Sequence, residues 1–166
     1  MKKLLLLATV LVLVFSLVAQ AGTRQRPTLS KQNIQVTFPE WGVTLEMEMQ
    51  EIIRGSRAWD IIYKANHVND PPAEGKEYIL AKFMIRVIDT PDADPISIMH
   101  RQFEAVSMTG VVYKRAFAEG LTQPLNVDLY KGAQYTGWTY FEVDKADNPL
   151  IVFLRGHKGE QWFSSF

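Results

Sequence analysis

The 166-residue sequence contains no cysteine. This absence excludes disulfide bonds, thiol nucleophiles, cysteine-based zinc sites and lipid attachment through a cysteine at a processed N-terminus. The three histidines, His67, His100 and His157, are far apart in the sequence and form no H-E-x-x-H motif. We therefore predict no metal site and no cofactor, and a fold that is stabilised by its hydrophobic core alone.

Motifs of common enzymatic chemistry are also missing. The chain has no G-x-S-x-G nucleophile elbow and no glycine motif that would cradle a phosphate. Glu46 and Glu48 are a candidate carboxylate pair for sugar hydrolysis. Because they lie two residues apart on an alternating strand, they share its polar face, and a solvated face explains them better. We predict no catalytic residues and therefore no enzymatic activity.

Neither sign of charge is in excess. The full sequence has 18 basic and 18 acidic residues. Loss of Lys2 and Lys3 with an N-terminal signal would leave 16 basic and 18 acidic residues, a net charge of −2. This balance gives no basic patch for nucleic acid and no attraction to an anionic membrane. The partner classes that remain are envelope or extracellular proteins and glycans.

The first 21 residues are typical of a secretory signal peptide. Lys2 and Lys3 precede an apolar run of about 15 residues, and the small residues Ala19 and Ala21 fit a cleavage site. We predict cleavage after Ala21 and a secreted or cell-envelope location, with no transmembrane segment and no lipid anchor. An uncleaved anchor is the alternative, but the run is shorter than the roughly 20 residues that span a bilayer.

Hydrophobic periodicity predicts the elements of the mature chain. Residues 22–33 are polar and are predicted to be a flexible spacer. Apolar and polar residues then alternate over 34–38 and 43–49, which predicts β-strands. The run at 77–88 is mostly apolar on both faces, which predicts a strand at the centre of its sheet. Apolar residues at helical spacing predict one short helix near 57–66.

Turn signals divide the second half of the chain into short segments. Thr109-Gly110, Lys131-Gly132 and Asp147-Asn148-Pro149 separate short apolar runs at the spacing of a β-sandwich. We predict an all-β protein, an immunoglobulin-like antiparallel β-sandwich with one short helix, as a single domain over residues 34–166.

Three segments carry a family resemblance. The stretches "AWDIIYKAN…PPAEGKEYILAKFMIRV", "FEAVSMTGVVY" and "LNVDLYKGAQYTGWTYFEVD" resemble the telokin-like, immunoglobulin-like domain family of bacterial exported proteins and lipoproteins, a family of unknown function. The matching positions are turn glycines and core residues: Gly75, Tyr78, Phe103, Gly110, Tyr113, Gly132, Gly137, Trp138, Phe141 and Val143. The resemblance implies the fold and export, but no activity. The chain departs from the family pattern in lacking a lipidated cysteine and in having Ser107 where a hairpin aspartate is expected.

Two loops rich in oxygen ligands are candidate cation sites. They contain Asn66, Asn69, Asp70 and Glu74 in residues 66–75, and Asp89, Asp92 and Asp94 in residues 89–95. The alternative for the first loop is a connector, in which Asn66 ends the helix and Gly75 turns the chain into a strand. The loops flank the strand 77–88, whose ends lie roughly 35–40 Å apart at about 3.3 Å per residue, so one ion cannot contact both.

Aromatic residues are concentrated near the C-terminus. They are Tyr135, Trp138, Tyr140, Phe141, Trp162, Phe163 and Phe166. They form either ordinary core or, where one face is open, a surface that stacks on sugar rings or binds a protein. We predict an exported, non-catalytic binding or interaction domain of unknown ligand. A cell-wall or host carbohydrate-binding module is the first alternative, and a secreted enzyme or enzyme inhibitor is the second.

Overall fold

The structure is a computed structural model that describes residues 22–166. The predicted signal peptide, residues 1–21, lies outside the described residues. A 3-10 turn, His100–Gln102, joins two of the strands. The other elements of the described range are β1 (Asn33–Phe38), β2 (Val43–Arg54), α1 (Gly55–Ala65), β3 (Lys76–Asp89), β4 (Ile96–Met99), β5 (Phe103–Val106), β6 (Asn126–Leu129), β7 (Gln134–Asp144), β8 (Leu150–Phe153) and β9 (Gln161–Ser164).

The strands form two facing layers of antiparallel sheet. One layer is four-stranded, in the order β1-β2-β3-β7. The other contains a three-stranded sheet, β5-β8-β9, and the strand pair β4-β6. All the pairings between these strands are antiparallel. Residues 22–166 therefore form an immunoglobulin-like β-sandwich with one α-helix, and the predicted fold class is confirmed.

The core lies between the layers and is centred on β3. The alternate residues Ile79, Ala81, Phe83, Ile85 and Val87 are fully buried. The Phe83 ring lies 4.8 Å from the ring of Phe103 in β5 and 5.0 Å from that of Phe163 in β9, measured between centroids. Full burial of one such side chain contributes about 1.5–3 kcal/mol, so these cross-layer contacts dominate the stability of the sandwich.

Helix α1 covers the outer face of the four-stranded sheet. Its fully buried residues, Ala58 and Ile62, pack against Tyr78 and Leu80 of β3 and against Leu121. Residues four apart on a helix share a face, which is why the sequence spacing located this element within two residues at its start and one at its end. Both faces of β3 are consequently buried, one by the opposite layer and one by α1.

The segment predicted to be a flexible spacer, 22–33, is instead held against β9. The Thr28 amide donates to the Trp162 carbonyl at 2.8 Å, and the Ser164 amide donates to the Thr28 carbonyl at 2.9 Å. Thr28 is fully buried. The sequence does not predict this contact, because backbone groups make it. An edge strand such as β9 can pair with a segment of any residue type, and that segment needs no apolar pattern.

Candidate functional site

An apolar pocket opens at one end of the sandwich, between its two layers. Its volume is about 350 Å³, at the lower end of the roughly 300–1,000 Å³ that small-molecule sites occupy. The inner wall consists of core side chains that are no more than 5% exposed: Phe38, Val43, Leu45, Ile98 and Phe153. This end pocket is therefore a place where the hydrophobic core itself opens to solvent.

Three loops form the mouth of the end pocket. They are the β1–β2 turn at 39–42, the loop at 90–95 and the turn at 154–160. Trp41 from the first loop, Asp92 from the second and Leu154 from the third line the opening. Asp92 is the single titratable residue of the lining.

Trp41 stands at this mouth and is 41% exposed. Its ring lies 6.0 Å from the Phe38 ring and 4.9 Å from the His157 ring, between centroids. The His157 Nδ1 is 2.9 Å from the Glu40 Oε2, and this hydrogen bond, helped by the Lys158 amide, lowers the pKa of Glu40. The contacts fix a large aromatic ring beside an apolar cavity, an arrangement suited to binding an apolar ligand.

A second, polar crevice adjoins the end pocket. Its volume is about 320 Å³. It is lined by Arg101, Gln102, Glu104, Arg115, Leu154, Arg155 and His157. Gln102 and Leu154 also line the end pocket, so the two cavities are neighbours that share these two residues. We call this second cavity the arginine crevice.

His100 lies next to the arginine crevice and is largely buried. Its ring stacks on Tyr140 with centroids 4.1 Å apart, and its Nδ1 is 2.6 Å from the Thr139 hydroxyl. Burial, reinforced by the positive charge of Arg115, lowers the pKa of His100 to about 4. The imidazole is therefore neutral at neutral pH.

The three histidines occupy different surroundings. His100 contacts Tyr140, His157 contacts Trp41, and the His67 ring lies 4.6 Å from that of Tyr63 on α1. Within residues 22–166 no three histidine, aspartate or glutamate side chains converge in a way that would hold a metal ion.

The loop at 66–75 acts as a connector. The buried Asn69 side chain donates to the Ile62 carbonyl at 2.9 Å and to the Glu119 carbonyl at 3.0 Å, and it accepts from the Glu119 amide at 2.8 Å. Its amide thus joins the end of α1 to the segment at 114–122. Because these bonds occupy both ends of the Asn69 amide, the geometry favours the connector over the alternative of a cation site, although Asp70 and Glu74 remain exposed.

The carboxylates of the loop at 89–95 diverge. Asp89 pairs with Lys131 at 2.6 Å, and the hydrogen bond from that ammonium lowers the pKa of Asp89. Asp92 instead lines the end pocket, and Asp94 is exposed. This loop and the loop at 66–75 follow and precede β3, so they lie at opposite ends of that strand.

The aromatic cluster near the C-terminus is mostly interior. Phe141, Trp162 and Phe163 are buried, while Trp138 and Tyr140 pack half-buried beneath α1 and nearby residues. Tyr135 packs on the main core, and Phe166 is exposed. The face of β7 that contains Trp138 and Tyr140 is therefore partly covered, and His100 stacks on Tyr140.

Exposed rings are found instead at Tyr63, on α1, and at His67, just beyond its end, next to the half-buried Trp59. Trp59 and Tyr63 lie 5.4 Å apart and Tyr63 and His67 lie 4.6 Å apart, between ring centroids. Tyr63 is 45% exposed. We did not identify these three rings as a group from the sequence, although they are spaced four residues apart, which places side chains on one face of a helix. Trp41 was also missed, and its only signal was a tryptophan in the turn "PEWG".

No helix within residues 22–166 is both long and apolar enough to cross a bilayer. No family model matches the chain, and no curated protein matches it significantly.

Two solved structures share the fold. The secreted protein MPT63 of Mycobacterium tuberculosis superimposes with a TM-score of 0.57 at 18% identity, over 83% of this chain and 97% of that one. A candidate lipoprotein of Bacillus subtilis, YcdA, superimposes with a TM-score of 0.58 at 8% identity, over 81% of this chain. The match spans 38% of the length of YcdA. At these identities the likeness establishes the immunoglobulin-like sandwich, which both bacterial exported proteins share.

Proposed function

We propose that this chain is an exported, non-catalytic binding domain that holds a small ligand in the end pocket. The observation that carries the proposal is the opening of the core between the two layers, with Trp41 held half-exposed at the mouth. An apolar cavity with few polar groups is the usual form of a small-molecule site. A catalytic site needs several converging titratable groups, whereas the end pocket has Asp92 alone.

Export is supported by the N-terminal sequence and by the exported proteins that share the fold. We propose a signal peptide at residues 1–21 that is cleaved after Ala21, one sandwich domain in the mature chain, and a secreted or envelope location without a lipid anchor. We also propose that the chain belongs to the telokin-like, immunoglobulin-like domain family. The mass of the exported protein tests the cleavage site, and a mass that still includes residues 1–21 contradicts it.

Replacement of Trp41 tests the binding function. Titration with the neutral fluorophore N-phenylnaphthylamine should give saturable fluorescence for the wild-type protein. Trp41→Ala should weaken that binding about fivefold or more, because one aromatic contact contributes about 1 kcal/mol. Trp59→Ala is the matched control, since it removes the same side chain from α1, and it should bind as the wild type does. Absence of saturable binding, or equal losses in both variants, contradicts the proposal.

The exposed rings on α1 support a second candidate function, recognition of a glycan. The exposed Tyr63 and His67 rings meet edge to face, and Tyr63 lies beside the half-buried Trp59. The open ring of Tyr63 could stack on a sugar ring. A glycan array probed with the wild type and with Tyr63→Ala tests this candidate. Glycan signals that persist in Tyr63→Ala, or their absence in the wild type, contradict it.

A further inference from the structure

We infer that the ligand of the end pocket is a small organic anion. Its compact apolar body occupies the end pocket, and its carboxylate or similar oxyanion lies in the arginine crevice against Arg101 and Arg115. This inference rests on the proposed function, because it names the class of ligand for the same site.

The two cavities are neighbours that share part of their walls. Gln102 and Leu154 line the end pocket and the arginine crevice alike. His157 lines the crevice and also contacts Trp41, whose ring borders the mouth of the pocket. In the proposed complex the ligand lies against Trp41 and extends past these shared residues, so that its polar end lies in the arginine crevice.

Positive charge in the arginine crevice exceeds the negative charge facing it. Arg155 is neutralised by an ion pair with Glu104. Within residues 22–166 neither Arg101 nor Arg115 forms an ion pair with a carboxylate. The mature chain is acidic overall, at a net charge of −2 after loss of Lys2 and Lys3, so this basic excess is local.

The two unpaired arginines are adjacent. The Arg115 Nη2 donates to the Arg101 carbonyl at 2.9 Å, which holds the Arg115 side chain against the Arg101 backbone. Guanidinium groups bind carboxylates and phosphates through paired, charge-assisted hydrogen bonds. Both arginines line the same crevice, and in the proposed complex their remaining nitrogen donors bind one oxyanion there.

Leu154 stands at the junction of the two cavities in an unusual backbone conformation. Its φ of 53° lies in the left-handed region, which residues other than glycine rarely adopt. Two hydrogen bonds hold it there: the Leu154 amide donates to the Gln102 carbonyl at 2.8 Å, and the His157 amide donates to the Leu154 carbonyl at 3.2 Å. Strained residues of this kind concentrate at binding sites, where the fold enforces them.

The size of the end pocket limits the apolar part of the ligand. A volume of about 350 Å³ near the lower end of the range for small-molecule sites suits a ring system or a short chain. The aromatic side chains Phe38, Trp41 and Phe153 on its wall favour an aryl group. We therefore expect an aryl or short-chain acid rather than a full-length lipid.

A matched pair of fluorescent probes tests the inference on the purified protein. Anilinonaphthalene sulfonate carries an anionic group, and N-phenylnaphthylamine has nearly the same apolar body without it. The double variant Arg101→Gln/Arg115→Gln should weaken binding of the sulfonate about tenfold or more, because charge-assisted hydrogen bonds are lost. Binding of the neutral probe should stay within about twofold, since its contacts in the end pocket are unchanged.

The double variant Arg26→Gln/Arg57→Gln is the matched control. It also removes two positive charges, but from exposed positions outside both cavities. It should bind anilinonaphthalene sulfonate as tightly as the wild type does. Equal weakening by both double variants, or no weakening by the crevice variant, overturns the inference. If the neutral probe still depends on Trp41 in that case, the proposed function stands. If neither probe depends on Trp41, the proposed function fails as well.

Displacement of the sulfonate probe identifies the acid group. Phenylacetate, phenyl phosphate and the neutral phenylacetamide share an aryl body and differ in charge. Displacement by phenylacetate, by phenyl phosphate or by both, at concentrations at least about tenfold below that needed for phenylacetamide, supports an anionic ligand. Equal displacement by the amide, or displacement by none of the three, contradicts it.

Discussion

His100 is the residue whose surroundings most clearly control its protonation. Burial and the charge of Arg115 lower its pKa to about 4 in the folded protein, whereas a histidine in the unfolded chain has a pKa of about 6.5. Between these values the unfolded chain binds more protons, so stability falls as the pH decreases from about 6.5 to about 4. We expect urea unfolding to show a loss of at most about 3 kcal/mol over this range.

The variant His100→Gln should not show this loss of stability between about pH 6.5 and about pH 4, because glutamine does not titrate. The pKa values of Glu40 and Asp89 are also lowered, and their effect on stability appears near and below about pH 4 in the wild type and the variant alike. If the free energy of unfolding of His100→Gln falls between pH 6.5 and pH 4.5 as steeply as that of the wild type, the imidazole is not held neutral by burial.

At the scale of elements, Asn69 joins α1 to the segment at 114–122. The variant Asn69→Ala removes three hydrogen bonds and leaves the Ile62 carbonyl and both backbone groups of Glu119 without that partner. We expect a loss of about 2 kcal/mol in the free energy of unfolding, measured by urea denaturation. Asn126→Ala, at an exposed position of β6, is the control and should change stability by less than about 0.5 kcal/mol. An Asn69→Ala variant that is as stable as the wild type would contradict this role of Asn69 in joining α1 to the segment at 114–122.

The elements predicted from the sequence are those whose hydrophobic residues follow a regular pattern. A run that is apolar on both faces located β3, because both faces of that strand are buried, and a spacing of three and four residues located α1, because one face of the helix packs on the sheet. The attachment of Thr28 to β9 carries no such signal, since backbone groups make it. The end pocket was not predictable either: Phe38 and Phe153 are typical core residues in sequence, and only the assembled fold shows where the core opens.

At the scale of the whole molecule, the end pocket is a junction between the two layers. Phe38 and Leu45 reach it from one layer, and Ile98 and Phe153 reach it from the other. A ligand in this position contacts both layers, and those contacts exist only when the sandwich is assembled. Binding is therefore linked to the folding of the domain as a whole.

This linkage predicts a rise in melting temperature with ligand concentration. At a concentration about one hundredfold above Kd, a ligand that binds only the folded state adds about 2.7 kcal/mol. For a domain of this size that corresponds to a rise of roughly 5–10 °C. Differential scanning fluorimetry with phenylacetate should show the rise in the wild type and in Trp59→Ala, and a much smaller one in Trp41→Ala. An equal rise in Trp41→Ala would place the binding site elsewhere, because Trp41 borders the end pocket alone among the tryptophans.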